Sequence, residues 1–189
     1  ANFAIKNVYN ANGYLEKVVN NATQTLAYWT ANTINAIGAI TQETAGNGLV
    51  TMRTIDNLGR LTAQTVGPTA GSGSIQNITV GYDAVSNVTS QSWYDGTTTR
   101  SETFGYDALG RITSVTGPQN RSFIYDVAGN FTTKSGVGTY NYGAPSCNSK
   151  PHAVSFVTGT VNGVTNPYYC YDQVGNLITE RAGSPKHSA

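Results

Sequence analysis

The chain has 189 residues, 39% of them hydrophobic and only 11% charged, with a formal net charge of +1. That is enough apolar material for a folded core. The absence of any Lys or Arg run argues against a nucleic-acid footprint or a polybasic membrane contact. No apolar run approaches the 18 or so residues that span a bilayer, so no membrane insertion is expected.

Ordinary soluble domains carry about 25% charged residues, so solvent-facing positions here fall to Thr, Asn, Ser, Gln and Gly. This composition points to a secreted, extracellular or cell-surface β protein. The sequence does not open on a basic segment followed by an apolar one. Either a signal precedes Ala1 or the segment belongs to a longer chain.

In chain order, the first element is the hairpin Tyr9–Val18 (YNANGYLEKV), with Asn10 opening a turn that Gly13 closes. Ala22–Asn35 reads as strand, since Tyr28, Trp29, Thr30 and Thr33 outweigh a short helical turn. The alternating run Ala39–Thr44 and the run Leu49–Ile55 flank a Gly46-Asn47-Gly48 turn. IDNLGRLTAQ (Ile55–Gln64) turns at Asp56 and Gly59, and the strand Gln76–Tyr82 leads into GYDAVSNVTS, which turns at Asp83. Tyr94-Asp95-Gly96-Thr97 signals a two-residue hairpin. FGYDALGRITSVTG follows, with Tyr106, Asp107 and Gly110, then a Gly117–Asn120 turn and the strand Arg121–Tyr125. IYDVAGNFTT turns at Asp126 and Gly129. Ala153–Thr158 reads as strand, Val161-Asn162-Gly163-Val164 as a hairpin, and CYDQVGNLIT turns at Asp172 and Gly175. No sustained 3.6-residue apolar period occurs. The fold class is all-β, an antiparallel hairpin meander of about a dozen short strands. It occupies residues 1–181, with 182–189 as a flexible tail.

Six of these stretches repeat one phrase: an aromatic or Ile, Asp (once Asn), two variable residues, usually Gly, then Arg or Asn, then an apolar residue. Asp can hydrogen-bond amides ahead of it, and Gly supplies a left-handed conformation, so each phrase reads as a three-residue loop closed by a Gly bulge. The register then pairs Tyr9 with Leu15, Ile55 with Leu61, Tyr82 with Val88, Tyr106 with Ile112, Tyr125 with Phe131 and Tyr171 with Leu177. Ser86 stands where the other copies have Gly. Because a left-handed non-Gly residue costs about 1–2 kcal/mol, that turn is expected to differ, with Asn87 taking the positive φ. The two 46-residue gaps, Asn10 to Asp56 and Asp126 to Asp172, each have room for a hairpin without the signature. Repeats this short must stack on neighbours to bury a face. The open ends of such a stack need pairing, and no cap is evident at Ala1 or Ala189.

GYDALGRITSVTG, IYDVAGNFTT and CYDQVGNLIT resemble the YD repeats of the Rhs family, which includes bacterial polymorphic toxins and insecticidal toxin-complex components and is related to teneurin YD repeats. The resemblance runs from about Tyr9 to Arg181, and Tyr28–Gly48 and Lys150–Val154 resemble less regular family stretches. It implies an antiparallel sheet that curves or spirals into part of a hollow β shell, which in toxins encloses an effector. It also implies structural roles: Tyr9, Tyr82, Tyr106, Tyr125 and Tyr171 pack or hydrogen-bond along the sheet, and the Asp residues hold their turns. The chain is too short to close a shell, and it carries neither the family's DPxG-type autoproteolytic signature nor a toxin domain.

Catalytic, cofactor and metal constellations are missing from the sequence. HExxH, CxxC and GxxxxGK[ST] motifs do not occur, and Cys147 with His152 lacks a third orienting group. Calcium needs six to eight clustered oxygens, whereas each turn offers one carboxylate facing Arg or Asn. Cys147 and Cys170 either form a bridge closing about 23 residues, worth roughly 3 kcal/mol, or remain two mostly buried thiols. The expected function is a non-enzymatic wall or self-associating scaffold whose partners are the rest of a larger YD-repeat chain or other copies, met through open sheet edges. The alternative is a glycan- or cell-surface-binding adhesion module using Trp29, Trp93 and Tyr94.

Overall fold

A computed structural model describes residues 3–143 and 150–182. It divides into two compact units, residues 1–103 and 104–189. Every regular element among the described residues is a strand.

The first unit contains β1 (Ile5–Tyr9), β2 (Leu15–Asn20), β3 (Ala27–Ile34), β4 (Ile40–Ala45), β5 (Val50–Ile55), β6 (Leu61–Gly67), β7 (Gln76–Tyr82), β8 (Val88–Tyr94) and most of β9 (Thr99–Tyr106). Each strand pairs antiparallel with the next in sequence. In the second unit, β10 (Ile112–Thr116), β11 (Arg121–Tyr125), β12 (Phe131–Lys134), β13 (Gly138–Tyr142) and β14 (Val154–Val161) continue the meander. β14 pairs with both β15 (Val164–Thr165) and β16 (Pro167–Tyr171), and β16 pairs with β17 (Leu177–Ala182). The all-β antiparallel meander expected from the repeats is therefore present, with 17 strands among the described residues rather than about a dozen. Very short returns explain the difference: β15 has two residues and β12 four, too few to show an alternation.

Five of the expected cross-strand pairs are in register: Tyr9↔Leu15, Ile55↔Leu61, Tyr82↔Val88, Tyr125↔Phe131 and Tyr171↔Leu177. One feature of these hairpins was not anticipated. The register slips one residue beyond each pair, so Glu16, Thr62, Thr89, Thr132 and Ile178 bulge from their strands. Such a bulge bends its strand and increases the local twist.

Two turn expectations need correction. Ser86 itself takes the left-handed conformation, φ 72°, in place of Asn87. Seven hydrogen bonds converge on that loop and offset the strain. In the β8–β9 hairpin, Tyr94 pairs with Thr99 and Gly96 has φ 94°, so the loop centres on Gly96-Thr97, one residue later than expected. The Asn162-Gly163 turn does form, with both residues at positive φ and Val161 facing Val164.

Contacts between described elements are confined to sheet neighbours, apart from β15 against β17. Few side chains are fully buried as a result; Val19 in the first unit and Val115, Val157 and Ser155 in the second are among them.

Candidate functional site

In a meander, every second loop falls at the same edge of the sheet. In the first unit that edge collects the Asn10, Asp56 and Asp83 corners, together with a corner at Asn35 that the sequence reading missed. In the second unit it collects the corners at Asp107, Asp126 and Asp172, along with the β13–β14 connection.

Each corner is built in the same way. At Asp107, the backbone amide donates to Arg111 O (3.0 Å) and the Asp107 carbonyl accepts from Gly110 N (3.0 Å). Asp107 Oδ1 accepts from Leu109 N (2.9 Å) and Arg111 N (3.0 Å), while Oδ2 accepts from Arg111 Nε (2.7 Å). Asp56 repeats this set with Leu58 and Arg60. Asp83, Asp126 and Asp172 substitute an Asn side-chain amide for the guanidinium, donated by Asn87, Asn130 and Asn176. Gly13, Gly59, Gly110, Gly129 and Gly175 all have φ between 73° and 96°, as the loop requires.

Hydrogen bonds to the ionised form hold these carboxyls below their ordinary values. The leading contribution is the amide of Arg60 for Asp56, Arg111 for Asp107 and Asn130 for Asp126. For Asp83 and Asp172 it is the side chain of Asn87 and of Asn176. With both oxygens occupied, the carboxylates are turn braces. Among the described residues, no cluster of three His, Cys, Asp or Glu could hold a metal.

The corners are also tied to one another. The Arg60 guanidinium lies 4.5 Å from the centre of the Tyr82 ring and donates to Asp83 O (3.3 Å) and Ser86 Oγ (2.9 Å). Tyr82 Oη donates back to Leu61 O (2.9 Å). The second unit repeats the device: Arg111 lies 4.5 Å from the Tyr125 ring centre and reaches Asp126 O (3.2 Å), while Tyr125 Oη donates to Ile112 O (2.8 Å). Asn130 extends it to the next connection, donating to Pro151 O (3.2 Å) and meeting His152 Nδ1 (2.7 Å) through Oδ1. Tyr171 Oη donates to Val154 O (3.0 Å). His152 is thus held at a corner.

The missed corner has the same backbone. Asn35 N donates to Ala39 O and Gly38 N to Asn35 O, and Asn35 Oδ1 accepts from Ile37 N and Ala39 N. Ile34 pairs with Ile40 where other copies pair Tyr with an apolar residue. It combines the Ile of the Ile55 copy with the Asn of the Asn10 copy, and Ala39 stands where the phrase has Arg or Asn. Between the Asn10 and Asn35 corners, Tyr14 occupies the Arg position and Ile34 the Tyr position. The Arg-on-Tyr contact cannot form there, which leaves a cavity of about 390 Å³ lined by Asn10, Asn12, Tyr14, Glu16, Ala31, Asn32, Ile34 and Asn35.

The aromatics expected to bind ligands are half-buried. Trp29 Nε1 donates to Glu43 Oε2 (2.9 Å), Arg53 Nη2 to Glu43 Oε1 (2.6 Å), Arg53 Nε to Gln64 Oε1 (3.0 Å) and Gln64 Nε2 to Gln76 Oε1 (2.8 Å). This polar ladder crosses β3 to β7. Burial pushes the Glu43 carboxyl up, but the bonds from Arg53 and Trp29 outweigh it and hold it below its ordinary value. Trp93 lies on β8 facing Ile78 and Arg100, and Tyr94 Oη donates to Gly96 O (2.7 Å). Trp29 is therefore not brought together with Trp93 and Tyr94 by any of these contacts. Tyr9 pairs with Leu15 yet is 58% exposed, while Tyr106 is half-buried. Cys170 is buried on β16 and is not a free thiol. Cys147 and the 183–189 part of the expected tail lie outside the described residues.

The description Teneurin YD-shell matches residues 6–182. The chain belongs to the teneurin YD-shell family. No curated protein sequence matches this YD-shell chain, whereas 36 chains of solved structures do. The crystal structure of TcdB2-TccC3-Cdc42 is similar at 18% identity and TM-score 0.58, over 98% of this chain and 11% of that one. A Photorhabdus luminescens Tc holotoxin pore with a substituted TccC3 is similar at 13% identity and TM-score 0.36, over 94% of this chain and 13% of that one. The YD-shell chain thus spans about a tenth of the length of these chains, and it shares the fold of the matched part of the first.

Proposed function

We propose that the chain is a non-enzymatic wall segment of a larger secreted or surface-exposed YD-repeat protein, of the kind that would enclose a toxin. The interlocked corner carries this reading. Both oxygens of each corner carboxylate brace their own loop, while Arg60, Arg111 and the hydroxyls of Tyr82, Tyr125 and Tyr171 fasten one hairpin to the next, so the repeated side chains are committed to structural bonds.

A glycan array and a hydrolase-substrate panel, run beside thermal unfolding, test the reading. It predicts no retained glycan and no turnover, with melting lowered by Tyr106→Ala. The alternative adhesion reading predicts glycan retention that Trp93→Ala or Trp29→Ala abolishes without lowering the melting temperature. That result would overturn the wall assignment.

A further inference from the structure

Three Asn-Gly pairs occur in the chain, Asn12-Gly13, Asn47-Gly48 and Asn162-Gly163, and all lie exposed in loops. Glycine has no Cβ to keep its amide nitrogen away from the side chain of the Asn before it, so each pair has the atoms for a succinimide ring. The fold separates the three. Gly13 N donates to Asn10 O (3.0 Å) and Gly48 N to Ala45 O (2.8 Å). Asn47 Oδ1 also accepts from Leu49 N (3.2 Å). These nitrogens are held inside their loops. Gly163 N has no backbone acceptor among the described residues, so its nitrogen alone is uncommitted.

We propose that Asn162 is a self-modification site, at which the folded chain turns Asn into isoaspartate and aspartate with water as the only co-reactant. Gly163 N gives its proton to solvent and bonds to Asn162 Cγ, the Cγ–Nδ2 bond breaks, and ammonia leaves. Water then opens the succinimide. Attack at the Asn162 main-chain carbonyl gives isoaspartate, and attack at Cγ gives aspartate. Gly13 and Gly48 must first break a hydrogen bond, which slows them roughly 2- to 10-fold relative to Gly163. The site matters because its turn sets a register. Asn162 and Gly163 stand at φ 48° and 84° in a two-residue loop that places Val161 opposite Val164 and Thr160 opposite Thr165. The length of such a loop fixes the pairing. Isoaspartate adds a methylene to the main chain, and either product adds a negative charge to a chain of formal net charge +1. β15, with two residues, is then the point at which the sheet loosens with age, without an enzyme.

Peptide mapping by mass spectrometry tests this on the full chain held for weeks in neutral buffer, beside a sample kept unfolded in guanidinium chloride. In the folded chain Asn162 should deamidate at least about threefold faster than Asn12 or Asn47, with isoaspartate identified by electron-transfer fragmentation. In the unfolded chain the three rates should converge, because the fold alone distinguishes the pairs. An Asn162 that stays intact in the folded chain, or that Asn12 or Asn47 matches there, overturns the proposal. So does an Asn162 that leads by the same factor after unfolding, since its rate would then belong to the sequence. In the modified fraction, amide exchange across β15 should quicken, and unchanged exchange would overturn the loss of register. None of these outcomes touches the wall reading, whose failure would appear in the glycan and turnover assays.

Discussion

At the scale of the residue, each corner Asp does several jobs at once, and the second oxygen separates the copies. An Asn at this position keeps the Oδ1 acceptor, as Asn10 and Asn35 demonstrate, but presents an amide where Oδ2 stood. Opposite Arg111 that amide meets a donor, whereas opposite Asn176 the partner amide can turn over and accept. Asp107→Asn is therefore expected to lower the melting temperature more than Asp172→Asn; equal losses would show that the guanidinium contact contributes nothing. The lowered carboxyls also set a pH dependence. A group depressed in the folded state stabilises it fully above its unfolded value and loses that contribution as pH falls through the folded one. Melting should hold steady in mildly acidic buffer and decline once pH drops below 3.8, the ordinary value from which all five are lowered. A melting temperature that stays level below pH 3.8 would contradict this. Gly110 has φ 73°, so Gly110→Val should cost about 1–2 kcal/mol, measurable by urea unfolding. An unchanged unfolding midpoint would mean that the loop had relaxed.

At the scale of the element, the hairpin was legible in the sequence because its determinants are local. Asp, Gly and the flanking apolar pair lie within seven residues, and they fix loop length and register together. What crosses strands was not legible. Arg60 meets Tyr82 from another hairpin, and the Trp29–Glu43–Arg53–Gln64–Gln76 ladder depends on four successive registers, none of which any single segment encodes. The Asn35 corner was legible but easily passed over: Ile34, Asn35, Gly38 and Ile40 each fit the phrase, and Ala39 alone departs from it by offering no Arg or Asn side chain. Ser86 misled for another reason: local preference argued against φ 72°, but a hydrogen bond from another hairpin, Arg60 to Ser86 Oγ, helps hold it. The vacancy beside Tyr14 offers a constructive test. Tyr14→Arg with Asn10→Asp and Ile34→Tyr installs the missing interlock between the first two corners. One stacked guanidinium at a partly exposed site should raise stability by about 0.5–1 kcal/mol. No gain in thermal unfolding would mean that the spacing of those corners does not admit the contact.

At the scale of the whole molecule, a long row of hairpins is stabilised mostly between neighbours, because within each unit the described strands meet chiefly their sheet neighbours. Arg111 and Tyr125 embody that coupling most simply, one from each of two successive copies within a single unit. The decisive measurement is a double-mutant cycle of Arg111→Met and Tyr125→Leu by denaturant unfolding. The interlock predicts that the two losses are not additive, with a coupling of about 0.5–1 kcal/mol. Strict additivity would contradict it, and the YD copies would then be independent turns sharing a sheet.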